Sequence, residues 1–407
     1  MFMRLTKNAV IRRKGEYVIL GNIRTGKWIR INQKLYEMFD VYLQLDDQQK
    51  ADVYKKIGKL VQTLTDLELV TNCEYEQEEK LRSITFAITN RCNLQCLHCG
   101  YSASPNDRCE LSKDDIMDAI FKLRDIEVLG ITGGEPMFHK DFPAIADFIG
   151  KNVYGKKTLM TNATLISEKT VDLVINNFDG VAISLDAASK ITCDKMRGMG
   201  VFSKVISAIK LLQKKEFNDI SLSFTETEIN KHEREQFINL CAELGVEPVV
   251  RIFLPVGRGM INKNRLEISD VKQGFLDKSL KIDQIAEYRK NLAMTTRCGA
   301  GTDCLYIQFN GDIYPCPVTG VNEKMRMGNI KNVHNFQDFV LGRNELEGYR
   351  NYTNISHKNT GKCSECDVRD FCWRCMQEYY EIFQDGNDDT NECAYRRQFL
   401  NSVVWGD

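Results

Sequence analysis

Between residues 83 and 256 this 407-residue chain alternates apolar, strand-like runs with helical patterns, and that alternation narrows its folds more than any other feature. The runs fall at 84–88, 128–132, 158–160, 181–185, 220–224 and 249–254. Between them, Ser112 stands as an N-cap before Ile116, Ala119, Ile120 and Leu123 at helical spacing. A second helix over 230–244 carries Phe237, Leu240, Cys241 and Leu244 on one face and ends at Gly245. Strands that alternate with helices imply parallel β-α-β units. Six strands are too few for an eight-stranded closed barrel. The expected fold is therefore α/β, an open or partial barrel whose functional residues lie on the rim where the strands end.

That rim is unusually polar. The first strand is followed by Cys92, Cys96 and Cys99, a Cys-x3-Cys-x2-Cys loop. Thiolates are soft ligands that select zinc, copper(I) or iron–sulfur clusters. Three ligands in one loop leave a fourth position open, the mark of a site that does chemistry. A zinc knot completed by His98 or a distant residue is the alternative. The second strand ends in Gly133-Gly134-Glu135-Pro136, the third in Thr161-Asn162-Ala163 and the fourth in Ser184-Leu185-Asp186. Arg197-Gly198 follows the fourth, and Pro255, Gly257 and Arg258 follow the sixth.

Fifteen cysteines in a chain with no secretory signal point to metal or catalysis in a reducing compartment, and to a cytoplasmic protein. No apolar run of about 18 residues suits a membrane span. The formal net charge of -1 leaves no footprint for nucleic acid or an anionic membrane. Eight cysteines lie between Cys298 and Cys393. Cys298, Cys304 and Cys316 come first, and Asn310-Gly311 between the last two predicts a hairpin with a two-residue type I′ turn. In that register Phe309 faces Asp312 and Leu305 faces Cys316, so Cys304 lies one residue beyond its partner. Cys363, Cys366, Cys372 and Cys375 follow, then Cys393. Eight thiolates make two four-ligand sites, and two zinc ribbons satisfy the spacing as well. Of the remaining cysteines, Cys241 reads as core, and Cys73, Cys109 and Cys193 as spectators.

Residues 1–72 predict a small α+β domain. Short strands at 17–20 and 28–31 flank the turn Thr25-Gly26-Lys27, and Asn32 caps a helix with Leu35, Met38, Phe39 and Tyr42 inward. A second helix carries Val53, Ile57, Leu60 and Leu64, and 67–70 adds a last strand. Residues 73–82 read as a linker, 83–256 as the barrel, 257–297 as a bridging region and 298–407 as a cysteine-rich domain.

The ordered rim motifs resemble the radical S-adenosylmethionine (SAM) superfamily. His98 stands where that family usually has an aromatic, and Ala163 and Ala187 replace its commoner glycines. The resemblance implies a partial (β/α)6 barrel in which Cys92, Cys96 and Cys99 hold a 4Fe–4S cluster with one iron left for S-adenosylmethionine. Gly133, Gly134, Glu135 and Pro136 would then lie at its amino group, Ser184 and Arg197 at its carboxylate, and Asn162 and Asp186 at its ribose. For Glu135 a local backbone hydrogen bond, and for Arg197 a surface ion pair, are the plain structural alternatives. The later cysteines resemble the SPASM domain, which adds two auxiliary clusters for three in all. Cys298, Cys304, Cys316 and Cys375 would hold the nearer one, and Cys363, Cys366, Cys372 and Cys393 the farther, with Cys375 outside the usual spacing. The first domain is similar to the PqqD-like module that captures leader peptides by strand addition. Together these imply a maturase of a ribosomally made precursor peptide that uses a 5′-deoxyadenosyl radical to install a thioether or carbon–carbon cross-link. Its other expected partner is an electron donor such as flavodoxin or ferredoxin. Decarboxylation, epimerisation and sulfatase-maturase-type side-chain oxidation are the alternatives within the class. A non-catalytic zinc scaffold is the alternative outside it.

Overall fold

The computed structural model describes residues 3–72, 80–268, 289–290, 292–294, 298–355, 361–372, 375 and 390–406. The chain condenses into two compact units, each discontinuous in sequence. One holds residues 1–78, 271–298 and 354–407; the other holds residues 79–270 and 299–353. The cysteine-rich region expected as one domain is thus divided between them. The expected linker, residues 73–82, lies partly outside the described residues.

The first unit begins with β1 (Arg4–Leu5), β2 (Ala9–Lys14), β3 (Tyr17–Asn22) and β4 (Trp28–Asn32). Helices α1 (Gln33–Gln44) and α2 (Asp47–Asp66) and strand β5 (Val70–Thr71) follow. β2, β3 and β4 form an antiparallel sheet with β3 in the centre. Asn32 caps α1 as expected, its side chain accepting from the Leu35 N–H at 2.8 Å. The expected last strand forms only at Val70–Thr71, and it pairs with β1 rather than with the sheet. The uninterrupted apolar run Val18-Ile19-Leu20 is buried on both faces. Successive strand side chains point to opposite sides. Accordingly Val18 and Leu20 pack with Phe39, Ile57 and Leu64 of the helices. Ile19 instead packs with Val368, Phe371, Leu400, Val404 and Trp405, and Cys366 and Cys372 lie against that second cluster. Trp28 meets Phe371 edge-on at 4.8 Å, and Arg12 forms an ion pair with buried Asp370 at 2.6 Å. The later cysteine run joins the N-terminal sheet for this reason: it covers the sheet's second apolar face.

The second unit contains β6 (Ser83–Ala87), α3 (Lys113–Lys122), β7 (Val128–Thr132), α4 (Phe142–Asn152), β8 (Lys156–Thr161), α5 (Val171–Ile175) and β9 (Gly180–Ser184). It continues with α6 (Lys190–Arg197), α7 (Val201–Lys214), β10 (Ile220–Glu226), α8 (Arg234–Leu244) and β11 (Glu247–Ile252). Strands β12 (Cys304–Ile307), β13 (Asp312–Tyr314) and β14 (Gly328–Asn329) complete it. The sheet order is β11-β10-β9-β8-β7-β6-β12-β13-β14. The six expected strands, β6 to β11, run parallel in sequence order, so the partial barrel forms as anticipated. Phe86, Ile131, Leu159, Ile183 and Leu222 have no exposed surface and fill its core. Ser112 caps α3, and Gly245 ends α8 at φ +66°. The second helix starts at Arg234, after a short 3₁₀ turn, and not at Asn230.

The cysteine hairpin extends this same sheet. β12 runs parallel to β6, with Cys304 opposite Ser83, and turns back into β13. Its register differs by one residue from the sequence expectation. Gln308 N–H donates to the Asp312 carbonyl at 2.8 Å, and Gly311 N–H to the Gln308 carbonyl at 2.7 Å. The loop is therefore Phe309-Asn310-Gly311, a three-residue connection with glycine in the left-handed region at φ +86°. Tyr306 pairs with Tyr314. Cys304 opens β12 and Cys316 follows β13 by two residues, with Cys304 Sγ 4.0 Å from the Pro315 carbonyl. Among the described residues no helix is long and apolar enough to cross a membrane.

Candidate functional site

The cysteine loop leaves the end of β6, and each neighbouring strand end fastens it. After β7, Gly134 N–H donates to the Thr89 carbonyl at 2.7 Å and Glu135 N–H to the Arg91 carbonyl at 2.8 Å. A Cβ on Gly133 would stand 2.4 Å from the Thr89 carbonyl oxygen, and one on Gly134 2.4 Å from that of Arg91. The chain itself requires both glycines, before any ligand does. Pro136 is buried at the first position of the short 3₁₀ turn Pro136–Phe138, where its missing N–H leaves no bond unmade.

Glu135 has no exposed surface. Its carboxylate accepts from Met137 N–H at 3.1 Å, Thr161 Oγ1 at 2.7 Å and Asn162 N–H at 2.8 Å. Burial nevertheless pushes its pKa up to about 7, because three neutral donors do not replace water around the charge. The local hydrogen-bonding alternative describes what this side chain does within the chain. It ties the end of β7 to the end of β8.

Asn162, expected at a ribose, is tied to the cysteine loop. Its Nδ2 donates to Asn93 Oδ1 at 2.9 Å and lies 3.8 Å from Cys92 Sγ, while its Oδ1 accepts from Thr164 N–H and Oγ1. Its Nδ2 thus clasps the cysteine loop while its Oδ1 is held by Thr164. Asp186, the other residue expected at the ribose, is likewise held within the chain. It sits in the left-handed region at φ +59°, fully buried. One oxygen takes the Arg197 guanidinium, with Nε at 2.6 Å, and His98 Nε2 at 2.9 Å; the other accepts from Thr225 N–H at 2.6 Å. Burial alone would raise its pKa, but Arg197 and His98 hold it well below the ordinary carboxylate range. Arg197 is no surface ion pair either. Its side chain is 8% exposed, and Nη1 lies 3.9 Å from Cys96 Sγ. Asp186 and Arg197 thus form a buried counter-ion pair behind the cysteine loop. Ser184, half-buried at the end of β9, makes no side-chain hydrogen bond within the described chain and keeps its hydroxyl available.

Arg258 completes the fastening. Its guanidinium donates to the carbonyls of Cys96, Ser102 and Ala103 at 3.0, 2.8 and 2.7 Å, and its N–H to that of Cys99 at 2.9 Å. Sequence reading missed the parts played by Asn93, Asn230 and Glu233. Asn230 donates to the Asp186 carbonyl at 2.8 Å, and Glu233 caps α6 through the Ala188 and Ser189 N–H groups. Only His98 left a signal, as the polar residue at an aromatic position.

The fit of this loop to a cluster follows from its donor set. Cys92, Cys96 and Cys99 are free thiols. Burial pushes the Cys92 thiol up to about 12 and raises Cys96 too, and the neighbouring thiols add to both. Such groups ionise when a metal binds, and N–H groups near the sulfurs then stabilise the thiolates. Among the described residues no three Cys, His, Asp or Glu side chains close around one metal-ion position. A cubane asks for a wider spread, one thiolate at each corner. The three barrel thiols fit that group. Of the remaining expected ligands, Cys304 and Cys316 belong to the barrel unit, and Cys298, Cys363, Cys366, Cys372, Cys375 and Cys393 to the other. Cys241 is buried on the inner face of α8, as expected of a core residue, and Cys193 is buried on α6.

Comparison with known proteins agrees with this geometry. The radical SAM superfamily profile matches residues 86–241, and that of the SPASM iron-sulfur cluster-binding domain matches residues 298–367. The mycofactocin maturase MftC of Mycolicibacterium smegmatis is 29% identical over 304 residues, covering 71% of this chain and 76% of the relative. The AdoMet-dependent heme synthase of Methanosarcina barkeri is 26% identical over 350 residues, covering 77% and 97%. Among solved structures, Streptococcus suis SuiB bound to S-adenosylmethionine superposes with a TM-score of 0.56 at 14% identity, over 95% of this chain and 97% of that one. Native anSMEcpe with bound AdoMet and Cp18Cys peptide gives 0.53 at 18% identity, over 80% and 96%. Both share the fold. With its three-cysteine loop at the head of a six-stranded parallel barrel and a SPASM region beyond it, the chain belongs to the radical SAM superfamily.

Proposed function

We propose that this enzyme matures a ribosomally made precursor peptide, installing an intramolecular thioether or carbon–carbon cross-link. The similarity to mycofactocin maturases over 304 residues carries the reading. A heme synthase matches a comparable length, so the barrel alone does not select the substrate. The N-terminal domain supports a peptide. Its three-stranded sheet exposes β2 and β4 as edge strands, the geometry that strand addition uses. A cavity of about 580 Å³ lies beside β4, lined by Trp28, Ile29, Arg30, Arg289 and Leu292 among others.

Cys92, Cys96 and Cys99 would hold a 4Fe–4S cluster, and S-adenosylmethionine bound at its open iron would supply a carbon radical for hydrogen abstraction. The chain around it orients and excludes water. Ser184 offers its hydroxyl to the methionine carboxylate, and the rim backbone at Gly133–Pro136 faces the amino group. Arg197, proposed for the carboxylate, also places buried positive charge beside Cys96. Asn162 and Asp186, proposed for the ribose, also fasten the loop. Cys298, Cys304, Cys316 and Cys375 would hold the nearer auxiliary cluster, and Cys363, Cys366, Cys372 and Cys393 the farther. These clusters would take an electron from the substrate radical, and a flavodoxin or ferredoxin of the cytoplasm would deliver the starting one.

The test is co-expression with a candidate precursor peptide, sought as a small reading frame neighbouring the gene. The expected product has lost two hydrogens per link, and deleting the precursor's leader abolishes the change. A peptide of unaltered mass, alongside measurable S-adenosylmethionine cleavage, would remove peptide cross-linking from the reading. Colourless protein holding zinc, in place of brown protein with about 12 irons per chain, would remove the enzyme altogether.

A further inference from the structure

Two tyrosines stand between the two cysteine sites of the barrel unit. Tyr101 lies two residues beyond Cys99, and Tyr306 lies two residues beyond Cys304 on the same face of β12. Their rings stack, with centroids 6.1 Å apart and planes 19° from parallel. Tyr306 pairs across the hairpin with Tyr314, which precedes Cys316 by two residues. The chain closes over it from the far side, since a Cβ on Gly320 would come within 2.8 Å of its ring.

Tyr306 has no exposed surface, and its hydroxyl lies beside that of Tyr101, so the pair meets at both ring and hydroxyl. Burial pushes Tyr101 up to about 12, and both Cys99 and Cys316 add to that rise, so one side chain is near both ligand sets.

We propose that Tyr101 and Tyr306 form the bridge over which an electron passes between the Cys304–Cys316 hairpin and the Cys92–Cys96–Cys99 loop. The inference rests on reading both sets as cluster ligands. Tunnelling is faster through packed aromatic matter than across a gap, and a stacked pair shortens the gap between the two sets. In the step, one electron leaves the iron–sulfur cluster at the hairpin, which is oxidised by one unit. It enters the cluster at the loop, which is reduced by one unit. No bond forms or breaks, and no proton moves, because the electron tunnels through the rings without residing on either. An electron removed from the substrate radical would in this way return to start the next turnover.

The test needs no peptide. The reconstituted chain is reduced fully with titanium(III) citrate, freed of reductant and mixed with S-adenosylmethionine, while 5′-deoxyadenosine is counted and the auxiliary-cluster signal is followed by EPR. The wild type is expected to form more than one 5′-deoxyadenosine per chain as the auxiliary signal fades in step. With Tyr101→Leu and Tyr306→Leu together, one equivalent forms promptly and the auxiliary signal persists at least an order of magnitude longer. Tyr101→Phe and Tyr306→Phe, which keep the rings, behave as wild type. Wild-type transfer rates in the iron-replete double Leu protein would overturn the bridge. So would slow transfer in the Phe variants, or a wild type that stops at one equivalent with its auxiliary signal intact. Iron content, measured on each sample, separates these outcomes from failure of the cluster reading, in which the auxiliary irons would be missing from the start.

Discussion

Two corners of the barrel rim each bury a carboxylate against the cysteine loop, and they accommodate it in opposite ways. At the end of β7, Glu135 is surrounded by neutral donors from Met137, Thr161 and Asn162, and burial raises its pKa to about 7. Just past β9, Asp186 is surrounded by Arg197 and His98, and they hold it ionised far into acid although burial opposes them. The β7 corner is a geometric joint, in which directional hydrogen bonds matter and the charge is a burden. The β9 corner is an electrostatic one, which keeps a guanidinium beside Cys96. Sequence type alone, an acid after a strand, does not separate the two. The residues brought against each acid do.

The largest expected effect comes from removing the charge at the β9 corner. Asp186→Asn is nearly the same shape but leaves Arg197 buried without a counter-ion. A broken buried pair costs about 3–5 kcal/mol. Urea unfolding of the cluster-free protein should show a loss in that range, and reconstituted protein should hold less iron on the Cys96 side. A variant as stable as wild type would mean that water or another anion satisfies Arg197, and the contrast between the corners would collapse.

The β7 corner is read through pH. Glu135 has its pKa raised on folding, from an ordinary 4.5 to about 7. Its contribution is therefore most favourable below pH 4.5 and is lost as pH rises through 7, on the order of 3 kcal/mol at most. Asp186, with its pKa lowered, acts with the opposite sign: its stabilisation is present above the ordinary aspartate value and is lost only in stronger acid. Of these two acids, only Glu135 changes between pH 4.5 and 7. The cluster-free protein should lose stability across that window, and Glu135→Gln should flatten the slope while costing about 1–3 kcal/mol from the mismatched Asn162 N–H. An equally steep slope in Glu135→Gln would assign the titration to another group.

How much of this was legible beforehand divides along physical lines. The six parallel strands, the caps at Asn32 and Ser112 and the stop at Gly245 follow from local periodicity and local hydrogen bonds, and the sequence shows them. The cysteine triplet and its strand-end company were equally plain. The roles of Asn162, Asp186 and Arg197 were not, because each depends on a partner far along the chain: Asn93, His98 and Cys96 respectively. The hairpin missed by one residue because Asn310-Gly311 suits both a two-residue turn and the last part of a three-residue one. The division into units escaped for a subtler reason. Val18-Ile19-Leu20 is apolar without alternation, the pattern of a strand covered on both faces, yet nothing local says that residues beyond 360 supply the second cover.

The smallest effect belongs to the clasp between the corners. Asn162 gives its backbone N–H to Glu135 and its side chain to Asn93, with Nδ2 near Cys92 Sγ. Asn162→Ala keeps the first contact and removes the other two, so the joint at β7 survives while the loop loses one fastening. A neutral hydrogen bond is worth about 1 kcal/mol, and the loss of stability should be of that size. The sharper readout is the reduced loop cluster itself. Withdrawing an N–H from a ligand sulfur makes a cluster harder to reduce, so its midpoint potential should fall in Asn162→Ala and stay at the wild-type value in Thr164→Ala, which disturbs the same side chain without touching a sulfur. Equal potentials in all three proteins would make Asn162 purely mechanical, and would leave Arg197 as the side chain of the rim whose N–H acts on a cysteine sulfur.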